Sequence, residues 1–218
     1  MSTLILAFDT SAAHVGAALF DGSDLIAAAH EDMARGQAER LMPLLEETLA
    51  QAGATWANLA AIGVGIGPGN FTGIRISVSA ARGLALGLGV PAVGVSMLEA
   101  VSFGTPGPRL ACVGAPRDQL YVQSFDMAAS VDPALIALAS VSADWAEPGL
   151  TCIGTAAEQA AQVLGAAHAP ATFAPASAIA RITAQRWQSS PERPAPMYLR
   201  PADAAPGRDT PPVILDDA

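Results

Sequence analysis

A two-lobed α/β fold, each lobe a mixed sheet flanked by helices and the second lobe reduced, is what this 218-residue sequence predicts. Three observations lead there. The chain opens with three short strand patterns joined by tight turns. Helix and strand patterns then alternate. A Thr105-Pro106-Gly107-Pro108 linker separates this unit from a shorter one of similar character. A hydrophobic content of 51% supplies enough apolar surface for a core and excludes a mostly disordered chain.

Leu4 to Phe8 reads as a buried strand, followed by the polar turn Asp9-Thr10-Ser11. Val15 to Phe20 is a second strand, Asp21-Gly22 a tight turn, and Leu25 to Ala29 a third strand, together an antiparallel meander. Leu41, Leu44, Leu45, Thr48 and Leu49 recur at helical spacing between Gln37 and Gly53. A strand at Ala61 to Gly65, a helix from about Thr72 to Leu88 and a strand at Pro91 to Val95 follow, and Ser96-Met97-Leu98-Glu99 is a capping box opening the next helix. Beyond the linker, Leu110 to Gly114 and Leu120 to Phe125 are positioned to pair, and Leu135 to Val141 and Leu150 to Gly154 are further strands. Thr155-Ala156-Ala157-Glu158 is a second capping box, and a helix runs from Ser177 to Trp187. The predicted divisions are 1–104, 109–190, and a tail at 191–218 that holds 7 of the 17 prolines and is extended or disordered. Three antiparallel strands followed by alternating helices and parallel strands is the order of one actin-like or sugar-kinase-like (ribonuclease H-like) lobe.

The most informative stretch is Gly67-Pro68-Gly69-Asn70-Phe71-Thr72-Gly73-Ile74-Arg75-Ile76, between a strand and a long helix. Strand, glycine-rich turn and helix form a common anion site, because the first N–H groups of a helix lack internal partners and the dipole favours negative charge there. All 11 basic residues are arginine, so a Walker-type loop with its phosphate-binding lysine is excluded, and no G-x-G-x-x-G dinucleotide fingerprint occurs. A net charge of −9 argues against direct binding of nucleic acid, which rests on cations neutralising phosphates. The N-terminus reads as a strand, not a signal peptide, and no membrane span is predicted. Cys112 and Cys152 lack C-x-x-C spacing and read as free, buried thiols of a cytoplasmic protein.

Asp9-Thr10-Ser11, the long glycine motif through Arg75, Ala81-Arg82-Gly83-Leu84-Ala85, Gly94-Val95-Ser96-Met97-Leu98-Glu99-Ala100 and Pro196-Met197-Tyr198-Leu199-Arg200 resemble, in order, the TsaB (YeaZ-type) family. The resemblance implies the actin/sugar-kinase fold. It also implies a non-catalytic role beside a TsaD-type transferase and a TsaE-type ATPase, in the bacterial synthesis of N6-threonylcarbamoyladenosine in tRNA. On that reading tRNA is met only through the complex, the free chain is a homodimer, and ATP or ADP at a subunit interface is the cofactor the resemblance allows. Three departures stand out: Gln37-Ala38-Glu39 where the family often has His-Ser-Glu, Asn70 where it commonly has serine, and a reduced hairpin at Ala115 to Tyr121.

Each candidate residue carries two readings. Asp9, with Thr10 and Ser11, lines a phosphate turn or simply caps the turn between two strands. Gly67, Gly69, Thr72, Gly73 and Arg75 contact a nucleotide or anion; alternatively the glycines fix the turn, Thr72 caps the helix and Arg75 pairs with an acidic neighbour. His14, His30 and His168 share no helical face, so no metal centre is predicted. Ser11 and Ser96 lack a G-x-S-x-G setting, so no nucleophile is assigned. For assembly, Leu41, Leu44, Leu45 and Thr48 on the first helix and Ile76, Ala80, Gly83 and Leu84 on the second are expected to form a two-helix partner surface. A charge at Leu45 or Ala80 is then expected to abolish the complex and leave the fold intact. Two rival readings are a stand-alone ATPase or kinase-like phosphotransferase, which predicts ATP turnover lost on Asp9→Asn, and a purely homodimeric binding module.

Overall fold

The computed structural model describes residues 3–189 and 192–200. The first lobe holds β1 (Leu4–Asp9), β2 (His14–Asp21), β3 (Asp24–Asp32), α1 (Gln37–Gln51), β4 (Leu59–Gly65), α2 (Phe71–Leu88) and β5 (Ala92–Val95). Its sheet has the order β3-β2-β1-β4-β5, with β1, β2 and β3 antiparallel and β1, β4 and β5 parallel. After α3 (Met97–Ser102), the second lobe holds β6 (Arg109–Ala115), β7 (Gln119–Phe125), β8 (Ala134–Ala137), β9 (Thr151–Ile153), α4 (Ala157–Leu164) and β10 (Ala167–Ala169). Its order, β10-β9-β6-β7-β8, is the first sheet's order repeated. The two lobes are thus two versions of one β-β-β-α-β-α-β unit. In the second, single 3₁₀ turns at Leu138–Ser140 and Ala143–Trp145 stand where the first has α1.

Side chains alternate across β1. Leu4, Leu6 and Phe8 enter one core with Leu41, Leu44, Leu45 and Leu49 of α1 and Ile74, Val78 and Ala81 of α2. Ile5 and Ala7 face the opposite core, with Val93, Val95 and the α5 (Pro175–Arg186) residues Ile179 and Ile182. This corrects the expected division at 109–190, because α5 returns from the second lobe to cover the first sheet. In exchange, Leu98 of α3 packs with Ala111 and Tyr121 of the second sheet. The carboxylate of Glu99 in α3 pairs with Arg186 in α5.

The same core corrects half of the expected partner surface. Leu41, Leu44, Leu45 and Thr48 are at most 1% exposed and pack within their own lobe. Helical spacing identifies an apolar stripe but does not say whose surface covers it. On α2, Ile76, Ala80 and Leu84 are half-buried against that core and Gly83 is exposed. The outward stripe of α2 is instead Arg75, Ser79, Arg82 and Leu86, all exposed, with Leu86 81% exposed.

Two predicted caps also change. Asn70, not Thr72, is the N-cap of α2, its side chain accepting from the Thr72 and Gly73 amides at 2.9 and 3.2 Å. Thr155 does not cap α4; its hydroxyl accepts from the Gly114 amide at 2.9 Å, tying β6 to the loop after β9. Cys112 and Cys152 are free and buried on adjacent strands. The neighbouring Cys152 thiol and burial push the Cys112 thiol above the ordinary thiol range. Of the predicted tail, 192–200 is an extended segment without helix or strand; the remainder, 191 and 201–218, lies outside the described residues.

Candidate functional site

The C-terminal ends of β1 and β4 bring the Asp9-Thr10-Ser11 turn beneath the N-terminus of α2, at the floor of a cleft between the lobes. Asp9 is fully buried. Its Oδ2 accepts from the Ser11 amide at 3.2 Å and the Ser11 hydroxyl at 2.9 Å, and lies 2.8 Å from His14 Nε2. Asp9 therefore closes its own turn, as the turn-capping reading expects. Its Oδ1 is buried with no hydrogen-bond partner among the described residues, seated against Gly65, where a Cβ would overlap it. The His14 ring packs at a tilt of 36° against that of His30, with centroids 4.9 Å apart.

The glycine motif presses α2 onto this turn. Asn70 donates its amide to the Ser11 carbonyl at 2.6 Å, and the Thr10 hydroxyl donates to the Gly73 carbonyl at 2.7 Å. A Cβ on Gly69 would overlap the Ser11 carbonyl oxygen, and one on Gly73 the Thr10 carbonyl oxygen. These glycines serve close backbone approach. The amides of Thr72 and Gly73 are already taken by Asn70. The Thr10–Ser11 turn is also held from below: Gln37 donates to the carbonyls of Ala12 and His14 at 2.6 and 3.1 Å. That buried glutamine occupies the first position of the Gln37-Ala38-Glu39 departure.

Among the described residues Arg75 has no acidic partner. Its guanidinium stacks over the Phe71 ring at 3.9 Å, and its Nε donates to the Tyr198 hydroxyl at 2.9 Å. Tyr198 in turn stacks on Phe71, with centroids 4.7 Å apart. The segment bearing Tyr198 is fixed beside the motif by the Met197 amide, which donates to the Ile66 carbonyl at 2.8 Å. Sequence reasoning singled out the 196–200 motif but had no signal for this pairing, since 123 positions separate Arg75 from Tyr198. His14 was legible only as a histidine five positions after Asp9.

The cleft above the turn measures about 1130 Å³. Its walls are largely apolar: Ile74, Met97 and Val101 from one side, Val113 and Tyr121 from the other, and Met197 to Leu199 across the edge. Among the described residues no group of three or more His, Cys, Asp or Glu is arranged to hold a metal ion.

The family described as "TsaD: tRNA N6-adenosine threonylcarbamoyltransferase" matches residues 30–178. An uncharacterized protein of Mycobacterium tuberculosis is 35% identical over 205 residues, 93% of this chain and 94% of its own length. The Escherichia coli tRNA threonylcarbamoyladenosine biosynthesis protein TsaB is 38% identical over 101 residues, 46% of this chain and 43% of that protein. The chain belongs to the TsaD/TsaB (YeaZ-like) family. The structure of YeaZ from Pseudomonas aeruginosa superposes on this TsaB-like chain with a TM-score of 0.75, covering 90% of this chain and all of the other at 24% identity, which establishes the shared fold. In this TsaB-like chain Thr10 and Ser11 lie against Gly69 and Gly73, and Gly67 sits against Ile74 and Met197. What they build there is a packed junction between turn and helix. No described helix is long and apolar enough to cross a membrane.

Proposed function

We propose that this chain is a non-catalytic cytoplasmic subunit of the machinery that makes threonylcarbamoyladenosine in tRNA, and that it binds and activates a TsaD-type transferase. The observation that carries this reading is the turn after β1, packed against α2 with its carboxylate buried. In an ATPase or kinase of this architecture the turn after β1 must stay open to a metal-nucleotide. Here α2 is seated on it through Gly69 and Gly73, and the Asp9 carboxylate is buried. A buried Asp9 carboxylate and a turn covered by α2 favour a binding role over the phosphotransferase alternative. Transfer chemistry and ATP use then belong to the TsaD- and TsaE-type partners, and tRNA is met through them.

The outward stripe of α2 is the docking face this reading assigns. Gly83 and Gly87 leave Leu86 standing alone, since a Cβ at either would meet nothing. An apolar side chain with bare helix on both sides suits insertion into a partner pocket. Leu86→Glu is expected to leave the melting temperature nearly unchanged, because exposed substitutions usually fall within about 0.5 kcal/mol. It is expected to weaken association with a purified TsaD-type protein by roughly 30-fold, the scale of losing a central interface anchor. Isothermal titration calorimetry reads the affinity directly. Undiminished binding by the folded variant would remove α2 from the contact.

A further inference from the structure

We propose that Arg75 is a preset anchor for a carboxylate of the docking partner, held ready by the Phe71–Tyr198 clamp. The proposal rests on the docking face assigned above and names the chemistry of what meets it. The molecule carries a net charge of −9, yet residues 71–88 contain two arginines and no acidic residue. Arg75 and Arg82 are seven positions apart and share the outward stripe of α2 with Ser79 and Leu86. Among the described residues neither arginine has a carboxylate within ion-pair distance, whereas Arg40, Arg109 and Arg186 each do. Glu192 lies in the groove beside Arg82, but Arg193 lines the same groove and offsets it. The outward face of α2 is thus left positive on an acidic protein.

Arg75 differs from an ordinary surface arginine in being immobilised. The Phe71 ring supports one face of its guanidinium at 3.9 Å, and the Tyr198 hydroxyl takes its Nε proton at 2.9 Å. Both Nη atoms stay free of hydrogen bonds among the described residues. A fixed fork with two open Nη donors fits the two oxygens of a carboxylate, and holding it in place beforehand reduces the ordering cost on binding. Phosphate oxygens fit a fork too. Nucleic acid, however, would have to approach a strongly acidic molecule through a patch of few cations, so a protein carboxylate is the occupant to which the charge balance points.

The test uses the full chain and a TsaD-type transferase, with affinity measured by calorimetry at several salt concentrations. Arg75→Gln is expected to weaken binding by about 30-fold or more, as truncating one side of an interfacial charge pair does. Arg75→Lys, which keeps the charge and loses the fork, is expected to recover only a minor part. Tyr198→Phe keeps the ring stack and removes the hydroxyl, and is expected to weaken binding severalfold through loss of the clamp. Circular dichroism establishes that each variant is folded. If wild-type chain binds and Arg75→Gln binds equally well, the anchor is refuted and the docking reading stands. If wild-type chain does not bind at all, both fall together. If the isolated chain retains tRNA on a filter and Arg75→Gln abolishes that retention, the occupant is RNA and the carboxylate proposal is overturned.

Discussion

Leu45→Glu is expected to yield no folded protein. Leu45 is fully buried in the core formed by β1, β2, α1 and α2. Removing its side chain costs about 2–5 kcal/mol, as for other buried leucines. The glutamate adds a carboxylate to a cluster of hydrophobic side chains, at a further cost of several kcal/mol. Against a total stability of about 5–15 kcal/mol, the sum removes most or all of the folded state. Circular dichroism of the soluble fraction, with recovery from inclusion bodies, reads the outcome. A native spectrum with loss of partner binding alone is the result that the sequence-based interface expects, and it would contradict the packing described here. Leu86→Glu is the matched control, two helices sharing one core but only one of the two leucines facing outward.

The second large effect is expected at Gly73. Its Cα lies so close to the Thr10 carbonyl oxygen that an alanine Cβ would overlap it, and the opposing atom is backbone. The turn cannot yield without disturbing the Thr10 hydroxyl bond to the Gly73 carbonyl and the Asn70 cap on the Gly73 amide. Overpacking of this kind costs about 1–3 kcal/mol, and each disturbed hydrogen bond about 1 kcal/mol more. Gly73→Ala is therefore expected to lose about 3–5 kcal/mol, lowering the melting temperature by roughly 6–20 °C in a chain of this size. Gly83→Ala, on the same helix with open space around its Cα, is expected to gain up to about 1 kcal/mol from helix propensity. Thermal melts of the two variants separate close approach from glycine content. Equal melting temperatures would mean that α2 is not pressed onto the β1 turn.

The order of strands and helices was legible because the strand alternation and the α1 leucine spacing are local signals. The repeat of one sheet topology in both lobes was not, because β10 spans three residues and the second lobe substitutes two 3₁₀ turns for a helix. Exchange of α3 and α5 between lobes was equally hidden. Helical spacing reports that one face is apolar and is silent on which sheet receives it. At the site, the glycine motif and Asp9 were found from residue types alone. Their meaning turned on Asn70, which fills the role often played by serine as helix cap, and on Tyr198, which reaches Arg75 from across the sequence. Neither pairing has a local pattern.

On the proposed reading this chain supports threonylcarbamoyl transfer without performing it. The most direct measurement is nucleoside mass spectrometry of unmodified tRNA incubated with TsaC-, TsaD- and TsaE-type proteins, ATP, threonine and bicarbonate, with and without the chain. Threonylcarbamoyladenosine is expected only when the chain is present, and Asp9→Asn is expected to stay active because the buried carboxylate is structural. Equal product in its absence, from partners of demonstrated activity, would rule out that role.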